Sequence, residues 1–295
     1  MSSPTVLLTG ATGFLGSNVA RALVDKKFNI IALCRQSSRL SRLSSVADKI
    51  KFFRLEETDL QSLFKENSID AVIHCATDYG RQETLPSTVI EANLVLPLKL
   101  LQFGAEREIS YFINTDTILD KGVNYYSLSK NQFKDWLKTY SLQMTCINVA
   151  LEHFYGPGDD ESKFVTWLIR SLLNNEKKIP LTQGIQKRDF IYIDDAVEAF
   201  MRIIERGSRH EKGFFSYEIA SGQAVTIRDF VEEAKKITAN TTTSLDFGVL
   251  PYRENEVMDS RVDLSAIKNL GWSSRTSLKE GLRLTVAFER SKIKG

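Results

Sequence analysis

A glycine-rich turn at residues 9–16, with the sequence TGATGFLG, constrains the fold of this chain more than any other feature. It follows a short apolar segment at residues 5–8 that predicts a strand, and it opens a helical pattern. A tight turn, a close approach of the backbone to a pyrophosphate and the packing of helix on strand each exclude a side chain, which accounts for Gly10, Gly13 and Gly16. The N–H groups and the dipole of a helix N-terminus attract phosphate. The pattern predicts a dinucleotide-binding loop.

The rest of the first half of the chain continues this alternation of strand and helix. Further strands are predicted at residues 30–33, 51–55, 71–75, 111–114 and 146–150, and helices at residues 16–26, 88–106 and 126–141. These strands are apolar along their length, which is typical of a parallel sheet covered on both faces. The predicted fold class is therefore α/β, a Rossmann-type doubly wound parallel sheet with a smaller C-terminal region.

The regular alternation ends near residue 156, where a turn-rich segment begins. Helices are predicted beyond it at residues 162–174, 194–206 and 226–238, with a strand at residues 187–193. We expect a dinucleotide-binding domain over residues 1–154 that also includes residues 187–215. We expect a substrate-binding region over residues 155–186 and 216–295.

Composition excludes several other classes of protein. The formal net charge is only +2, which argues against a general nucleic-acid partner. No stretch reaches the roughly 18–20 apolar residues of a membrane span, and the N-terminal segment lacks the basic region of a signal peptide. Cys34, Cys75 and Cys146 are too few and too far apart for a disulfide framework or a metal site. We therefore expect reduced, mostly buried thiols, no metal and a cytoplasmic location.

The spacing GxxGxxG of the first loop resembles that of the extended short-chain dehydrogenases/reductases, the NAD-dependent epimerase/dehydratase family. YGPGD at residues 155–159, RDFIYID at residues 188–194 and LGW at residues 270–272 resemble later motifs of the same family. The resemblance extends to about residue 285 and implies an enzyme that binds a nicotinamide dinucleotide.

The end of the second predicted strand bears on the choice of cofactor. Arg35 stands where NAD-binding relatives place an acidic residue, with Ser37 close by in sequence. A guanidinium suits the 2′-phosphate of NADP, so we expect NADPH/NADP rather than NAD. The resemblance implies further cofactor contacts from Phe14, Leu15, Asp59, Leu60 and Ala76.

The motif YSLSK at residues 126–130 predicts the catalytic pair. Tyr126 and Lys130 are four residues apart, so a helix places them on the same face. A nearby ammonium favours the phenolate, and we therefore expect Lys130 to lower the pKa of Tyr126 and to let it exchange a proton with a substrate oxygen. Tyr125 is the alternative phenol, but no lysine follows it four residues later.

In this family, a hydroxyl at the end of the preceding strand completes the set of catalytic residues. Thr115 is the best match and Thr117 the alternative, although only 11 positions separate Thr115 from Tyr126. Dehydratases of the family carry the sequence TDE at these positions, and their glutamate serves in the elimination of water. This chain has Thr115, Asp116 and Thr117, so the base for water elimination is missing. Asn93 resembles the asparagine that supports the site in relatives.

Candidate substrate contacts follow from the same resemblance. They are Asp116, Thr117, His153, Arg188 and Arg253. The resemblance implies that the two arginines hold a nucleotide diphosphate, as bidentate guanidinium–phosphate contacts would. Relatives usually carry an asparagine where this chain has His153, so that position is a departure.

The features together most resemble sugar-nucleotide 4-ketoreductases, a group that includes CDP-abequose and CDP-paratose synthases. They imply NADPH-dependent reduction of a nucleotide-linked 4-keto-deoxyhexose, preferably a CDP-sugar, in deoxysugar or O-antigen biosynthesis. A homodimer is a further family expectation. The alternatives are an NAD-dependent sugar-nucleotide 4-epimerase, which uses the same residues, and a non-catalytic dinucleotide-sensing regulator. Such regulators often lack the tyrosine or the lysine, and this chain keeps both.

Overall fold

The structure is a computed structural model that describes residues 3–81, 84–209 and 211–294. None of the helices in these segments has the length and apolar character needed to span a membrane. The strands are β1 Thr5–Thr9, β2 Asn29–Cys34, β3 Ile50–Arg54, β4 Ala71–His74, β5 Tyr111–Thr117, β6 Thr145–Leu151, β7 His153–Tyr155, β8 Lys178–Leu181, β9 Lys187–Tyr192, β10 Gly213–Ile219, β11 Ala224–Thr226 and β12 Ser244–Phe247.

The helices connect these strands. They are α1 Phe14–Asp25, α2 Leu60–Glu66, α3 Pro86–Ile90, α4 Leu96–Glu106, α5 Tyr125–Thr139, α6 Phe164–Leu173, α7 Ile193–Gly207, α8 Ile227–Thr238, α9 Ser265–Lys268 and α10 Leu278–Lys294. The single helix predicted over residues 88–106 is α3 and α4 joined by one π-helical turn, Glu91–Val95. Two short 3₁₀ turns, Ser41–Leu43 and Ala47–Lys49, lie between β2 and β3.

The chain divides into two compact units. Unit 1 comprises Met1–Leu151, Val197–Glu218 and Ser265–Trp272, and unit 2 comprises Glu152–Ala196, Ile219–Leu264 and Ser273–Gly295.

Unit 1 is built on a seven-stranded sheet in the order β10-β6-β5-β4-β1-β2-β3. The pairs from β3 across to β6 are parallel, and β3-β2-β1-β4-β5-β6 is the strand order of dinucleotide-binding Rossmann domains. Buried apolar side chains of the strands pack against α2, α4 and α5 on one face, with Leu7, Val72 and Phe112 at the centre. The predicted α/β Rossmann-type sheet is therefore confirmed.

Unit 2 contains two small sheets. In the first, β9 pairs in parallel with β7 and antiparallel with β11. In the second, β8 pairs in parallel with β12. Helices α6, α8 and α10 pack against one another, and the core includes Phe190 stacked on Phe230 with their ring centroids 3.9 Å apart.

The boundaries of these units differ from the expected domains by three residues at 152–154 and at 216–218, and by longer segments at two further places. Residues 187–196, expected with the dinucleotide-binding part, belong to unit 2 because β9 pairs with β7 and β11 there. Residues 265–272, expected with the substrate-binding region, belong to unit 1, where Ile267 and Trp272 are buried. Pairing partners and packing, which lie far away in sequence, decide both assignments.

Candidate active site

The glycine loop lies between β1 and α1, where the strand order reverses, which is the usual ligand position in such sheets. Gly10 has φ +68°, and a Cβ there would lie 2.5 Å from the nitrogen of Ala76 and 2.6 Å from the carbonyl carbon of Cys75. A Cβ on Gly16 would overlap the carbonyl oxygen of Gly10. The tight turn predicted at Gly10 and the close packing of the helix start predicted at Gly16 are therefore both present.

The N-terminus of α1 fits the phosphates of a dinucleotide. Its N-cap is Gly13, and no side chain in the described part of the chain makes a capping hydrogen bond to it. The first-turn residues Phe14 and Leu15 are each 8% exposed and pack inward. The helix thus presents backbone N–H groups at its open end, which is the arrangement that binds anionic phosphate.

Arg35 follows directly after β2 and is exposed, as is Ser37. The neighbouring guanidinium of Arg54, at the end of β3, donates a 3.0 Å hydrogen bond to the backbone oxygen of Arg35. Glu56 accepts one from the backbone nitrogen of Gln36 at 2.9 Å. These contacts hold the turn after β2 and leave the side chain of Arg35 on the surface, where a 2′-phosphate could meet it.

Asp59, one of the predicted cofactor contacts, is the N-cap of α2. Its carboxylate accepts a 2.9 Å hydrogen bond from the backbone nitrogen of Ser62, and the hydrogen bonds from Ser62 lower the pKa of Asp59. Leu60 packs partly against the core of unit 1. At Ala76 the backbone nitrogen donates to the hydroxyl of Thr9 at 3.2 Å, which ties the turn after β4 to the end of β1.

Helix α5 begins at a capping box that places Tyr126 in its first turn. The Asn124 side chain accepts a hydrogen bond from the backbone nitrogen of Ser127 at 2.9 Å, and the Ser127 hydroxyl accepts one from the backbone nitrogen of Asn124 at 3.2 Å. Tyr126 is half-buried, whereas the rival Tyr125 is 59% exposed. The position of the capping box in the sequence therefore leaves one candidate phenol, Tyr126, half-buried and the other, Tyr125, exposed.

The pKa of Tyr126 is raised, contrary to the prediction that Lys130 lowers it. Burial is the main cause, and Tyr79 and the carboxylate of Asp116 raise it further, while a hydrogen bond from Thr117 lowers it in part. The ring of Tyr79 lies 5.1 Å from that of Tyr126. Desolvation therefore outweighs any effect of the lysine, and Tyr126 holds its proton.

Lys130 is 1% exposed, and its ammonium donates a 2.8 Å hydrogen bond to the backbone oxygen of Thr115. Burial lowers the pKa of Lys130 to about 8, although Asp116 and Cys75 act in the opposite direction. The burial of His74 itself, together with the charge of Lys130, lowers the pKa of His74 well below its usual value. His74 is fully buried and bonds to Thr9, so it is a packing residue.

The two candidate hydroxyls at the end of β5 have different partners. Thr115 is 5% exposed and donates to the backbone oxygen of His74 at 3.0 Å. Thr117 is half-buried, and its hydroxyl accepts from the backbone nitrogen of Leu119 at 3.2 Å. Between them, Asp116 is 4% exposed and accepts from the backbone nitrogen of Thr117 and from the side chain of Asn148, both at 2.8 Å.

Asn93 lies in the π-helical turn and is fully buried. Its side chain accepts from the backbone nitrogen of Asp78 and donates to the backbone oxygen of the same residue, both at 2.8 Å. It also donates to the hydroxyl of Ser129 at 3.1 Å. The expected supporting asparagine therefore links the loop after β4 to α5, and a π-helical turn at such a position is common at functional sites.

Among the proposed substrate contacts in unit 2, His153 forms a pair with Glu152. Its Nδ1 lies 2.7 Å from a carboxylate oxygen of Glu152, whose other oxygen accepts from the hydroxyl of Ser260. The Glu152 side chain is 6% exposed and that of His153 49%. Burial by itself would raise the pKa of Glu152, but the bonds from His153 and Ser260 lower it overall.

The two proposed diphosphate arginines differ in exposure. The guanidinium of Arg188 is 13% exposed, forms an ion pair with Glu256 and donates to the backbone oxygen of Val257. Arg253 lies in the same irregular segment after β12 and is exposed. Arg188 therefore fastens this segment to β9.

Three features of the site were not found in the sequence. Tyr79 covers Tyr126 from the loop after β4, Asn148 holds Asp116, and Ser260 holds Glu152. A polar residue such as Asn148 within the apolar run of β6 was the one available signal, because buried polar groups need partners.

Comparison with known proteins gives the following matches. The model of the NAD dependent epimerase/dehydratase family matches residues 6–220. CDP-abequose synthase from Salmonella muenchen is 31% identical over 293 residues, which cover 96% of this chain and 97% of that protein.

Two solved structures share the fold. UDP-glucose 4-epimerase from Thermotoga maritima with UDP-glucose has a TM-score of 0.85 at 22% identity, covering 98% of this chain and 99% of the other. UDP-glucose 4-epimerase from Thermus thermophilus in complex with NAD has a TM-score of 0.81 at 20% identity, covering 97% and 99%. The resemblance inferred from the motifs is confirmed.

Proposed function

This chain belongs to the NAD dependent epimerase/dehydratase family, and from that premise we propose that it is an NADPH-dependent reductase of a nucleotide-linked 4-keto-deoxyhexose, with a CDP-sugar preferred. The similarity to CDP-abequose synthase over nearly the whole chain supports the substrate class. The reaction would belong to deoxysugar-nucleotide synthesis of the kind that supplies O-antigen.

The proposed cofactor contacts lie in unit 1. The open N-terminus of α1 fits a pyrophosphate, and Gly10 lets the preceding loop turn closely against the backbone of Cys75 and Ala76. The exposed guanidinium of Arg35 supports NADPH over NAD, since it carries a full charge toward a 2′-phosphate. The bound cofactor would supply a hydride to C4 of the sugar.

The residues around Tyr126 would complete the reduction. Tyr126 gives a proton to the sugar O4 as charge develops on it, and Lys130 holds the cofactor ribose. The hydroxyl proton of the buried Thr115 is engaged by the backbone oxygen of His74, so we assign the hydrogen bond to the reacting carbonyl to Thr117, the half-buried alternative. In unit 2, the exposed Arg253 and His153 are the proposed diphosphate contacts. Arg188 is engaged with Glu256, so we assign it to holding the segment that carries Arg253.

One observation carries the choice of reduction. Arg35 directly follows β2 and is exposed, and its guanidinium suits the 2′-phosphate of NADP. A reductase binds NADPH, uses its hydride and releases NADP, whereas an epimerase keeps NAD bound.

The test is NADPH oxidation followed at 340 nm, the usual absorbance of the reduced nicotinamide, with CDP-, dTDP-, UDP- and GDP-linked 4-keto-6-deoxysugars. We expect turnover with at least the CDP-linked ketone, at a higher kcat/KM than with the other nucleotides. Absence of oxidation with all four substrates would refute the reductase.

A 4-epimerase is the second candidate, because the solved structures described above are epimerases of the same fold. Such an enzyme would purify with bound NAD and interconvert nucleotide sugars without added reductant. Measurement of the nucleotide released on denaturation therefore separates the two proposals.

We also propose that the protein is a homodimer. Ile90 on α3 and Leu128 and Trp136 on α5 are 41%, 40% and 48% exposed, and these helices contact each other in unit 1. Trp136→Glu should halve the mass measured by light scattering, whereas Leu142→Glu, at an isolated residue that is 86% exposed, should leave it unchanged.

A further inference from the structure

A line of buried polar side chains runs across two neighbouring strands of unit 1. Asn114 on β5 and Asn148 on β6 are register partners, and the amide nitrogen of Asn114 donates to the amide oxygen of Asn148 at 2.8 Å. The amide nitrogen of Asn148 donates to the carboxylate of Asp116 at 2.8 Å. These three residues are 0%, 1% and 4% exposed.

The hydrogen-bonding groups along this line allow only one orientation of the Asn148 amide. A carboxylate only accepts hydrogen bonds, so Asn148 must present its nitrogen to Asp116 and its oxygen to Asn114. The line ends at the amide oxygen of Asn114, for which the described residues provide no partner. Polar groups buried in strands that are otherwise apolar cost stability, and here their hydrogen bonds converge on the carboxylate.

The carboxylate adjoins the catalytic groups. Asp116 follows Thr115, whose backbone oxygen accepts from the buried ammonium of Lys130. Among the described residues, the titratable groups whose charge acts on Lys130 or responds to it are Asp116 on β5, His74 on β4 and Cys75 just after β4. Burial keeps His74 neutral by lowering its pKa, and it keeps the protons on Cys75 and Tyr126 by raising theirs, so Asp116 is the source of negative charge in this group.

We propose that Asp116 is a positioning residue, held by Asn148 and Asn114, that keeps Lys130 charged and Tyr126 protonated, and that it does not bind the substrate. Each carboxylate oxygen accepts a hydrogen bond inside unit 1, and with 4% of the residue exposed the carboxylate is closed to a sugar hydroxyl. The proposal rests on the reductase function, because a charged lysine and a protonated phenol are the forms that reduction requires.

The effect of Asp116 on its neighbours has the sign that this role needs. Burial lowers the pKa of Lys130 to about 8, and Asp116 opposes that fall. Asp116 also raises the pKa of Tyr126. Without the carboxylate, Lys130 would lose part of its charge near neutral pH.

The test is an NMR titration of Lys130 in protein labelled with carbon-13 at lysine Cε, with the signal assigned by comparison with Lys130→Arg. In Asp116→Asn we expect the titration midpoint of Lys130 to fall on the order of one pH unit, as for loss of a nearby opposite charge. The substitution suits the site, because Asn148 and Asn114 can both turn their amides over and direct the amide oxygen of Asn148 to the new side chain. Exposed Lys138 serves as the internal control.

A midpoint that stays at the wild-type value in folded Asp116→Asn would overturn the proposal. Asp116→Ser removes the same charge with a smaller side chain and provides the measurement if the asparagine variant does not fold. The titration needs no turnover, so it stands even if the reductase assay fails. Where turnover is found, the alkaline limb of the kcat profile should move down by the same amount as the Lys130 midpoint.

Discussion

The ammonium of Lys130 on helix α5 is anchored by a 2.8 Å hydrogen bond to the backbone oxygen of Thr115 on strand β5. This bond joins two elements that each carry part of the proposed chemistry, since Thr117 ends the strand and Tyr126 lies in the first turn of the helix. Because both groups are buried, the bond is shielded from water and holds the end of the strand against the helix. The following predictions test the surroundings of this contact and the two units separately.

Tyr126→Phe should remove the proton donor while preserving the ring that packs against Tyr79. We expect kcat to fall by about 10²–10⁴-fold, the usual contribution of general acid catalysis, and the Kd for NADPH to remain nearly unchanged. Stopped-flow kinetics and fluorescence titration measure the two quantities. Tyr125→Phe is the matched control, because that neighbouring phenol is 59% exposed. Turnover near the wild-type rate in Tyr126→Phe would remove this residue from the mechanism.

Arg35→Glu should reverse the preference between the two cofactors. We expect binding of NADPH to weaken by about ten- to a hundredfold, which corresponds to the loss of a hydrogen bond to a charged group. Binding of NADH should change little or improve. Calorimetric titration with each cofactor gives the ratio, and Lys26→Glu, at an exposed residue just after α1, applies a similar charge change elsewhere. An equal loss for both cofactors would contradict the NADPH assignment.

Gly10→Ala should destabilise unit 1 through its backbone. The residue has φ +68°, and an added Cβ would lie 2.5 Å from the nitrogen of Ala76. We expect a loss of about 2–4 kcal/mol in the free energy of unfolding, from the left-handed backbone and the overlap together. Urea unfolding measures it. Gly122→Ala is the control, because a Cβ at Gly122 would meet nothing within 4 Å. Equal stabilities of the two variants would show that the loop relaxes around the added carbon.

Glu152→Gln should reduce stability in a pH-dependent way. The folded state lowers the pKa of Glu152, so its ionisation stabilises the fold above the unfolded pKa of about 4.3 and loses that effect as pH falls through the folded value. We expect wild type to exceed the variant by about 1–3 kcal/mol near pH 7, with the gap narrowing below about pH 4.

Chemical unfolding from pH 3 to pH 8 follows that difference, and Glu254→Gln, at an exposed carboxylate, is the control. A gap between wild type and Glu152→Gln that is constant with pH would mean that the side chain contributes only by packing.

Much of the fold and part of the site could be predicted because their causes are local. The turn and helix start around Gly10 and Gly16 need only short-range geometry. The four-residue spacing of Tyr126 and Lys130 needs only a helix. The helix predicted over residues 226–238 begins at Thr226, a residue type that favours helix caps, and the Thr226 hydroxyl accepts from the backbone nitrogen of Asp229 at 3.0 Å. The short strands β8, β11 and β12 were not predicted, because three or four residues carry too weak a periodic pattern.

The sequence by itself determined the Rossmann-type sheet, the dinucleotide loop and the placement of Tyr126 and Lys130 one helical turn apart, because each depends on residues close together in the chain. Only the tertiary structure decided the burial that raises the pKa of Tyr126, the engagement of Asp116 by Asn148 and that of Arg188 by Glu256. The partners in the last two contacts are 32 and 68 positions apart. Burial and charge at a site are set by strand register and by packing from distant segments, and spacing along the chain does not contain that information.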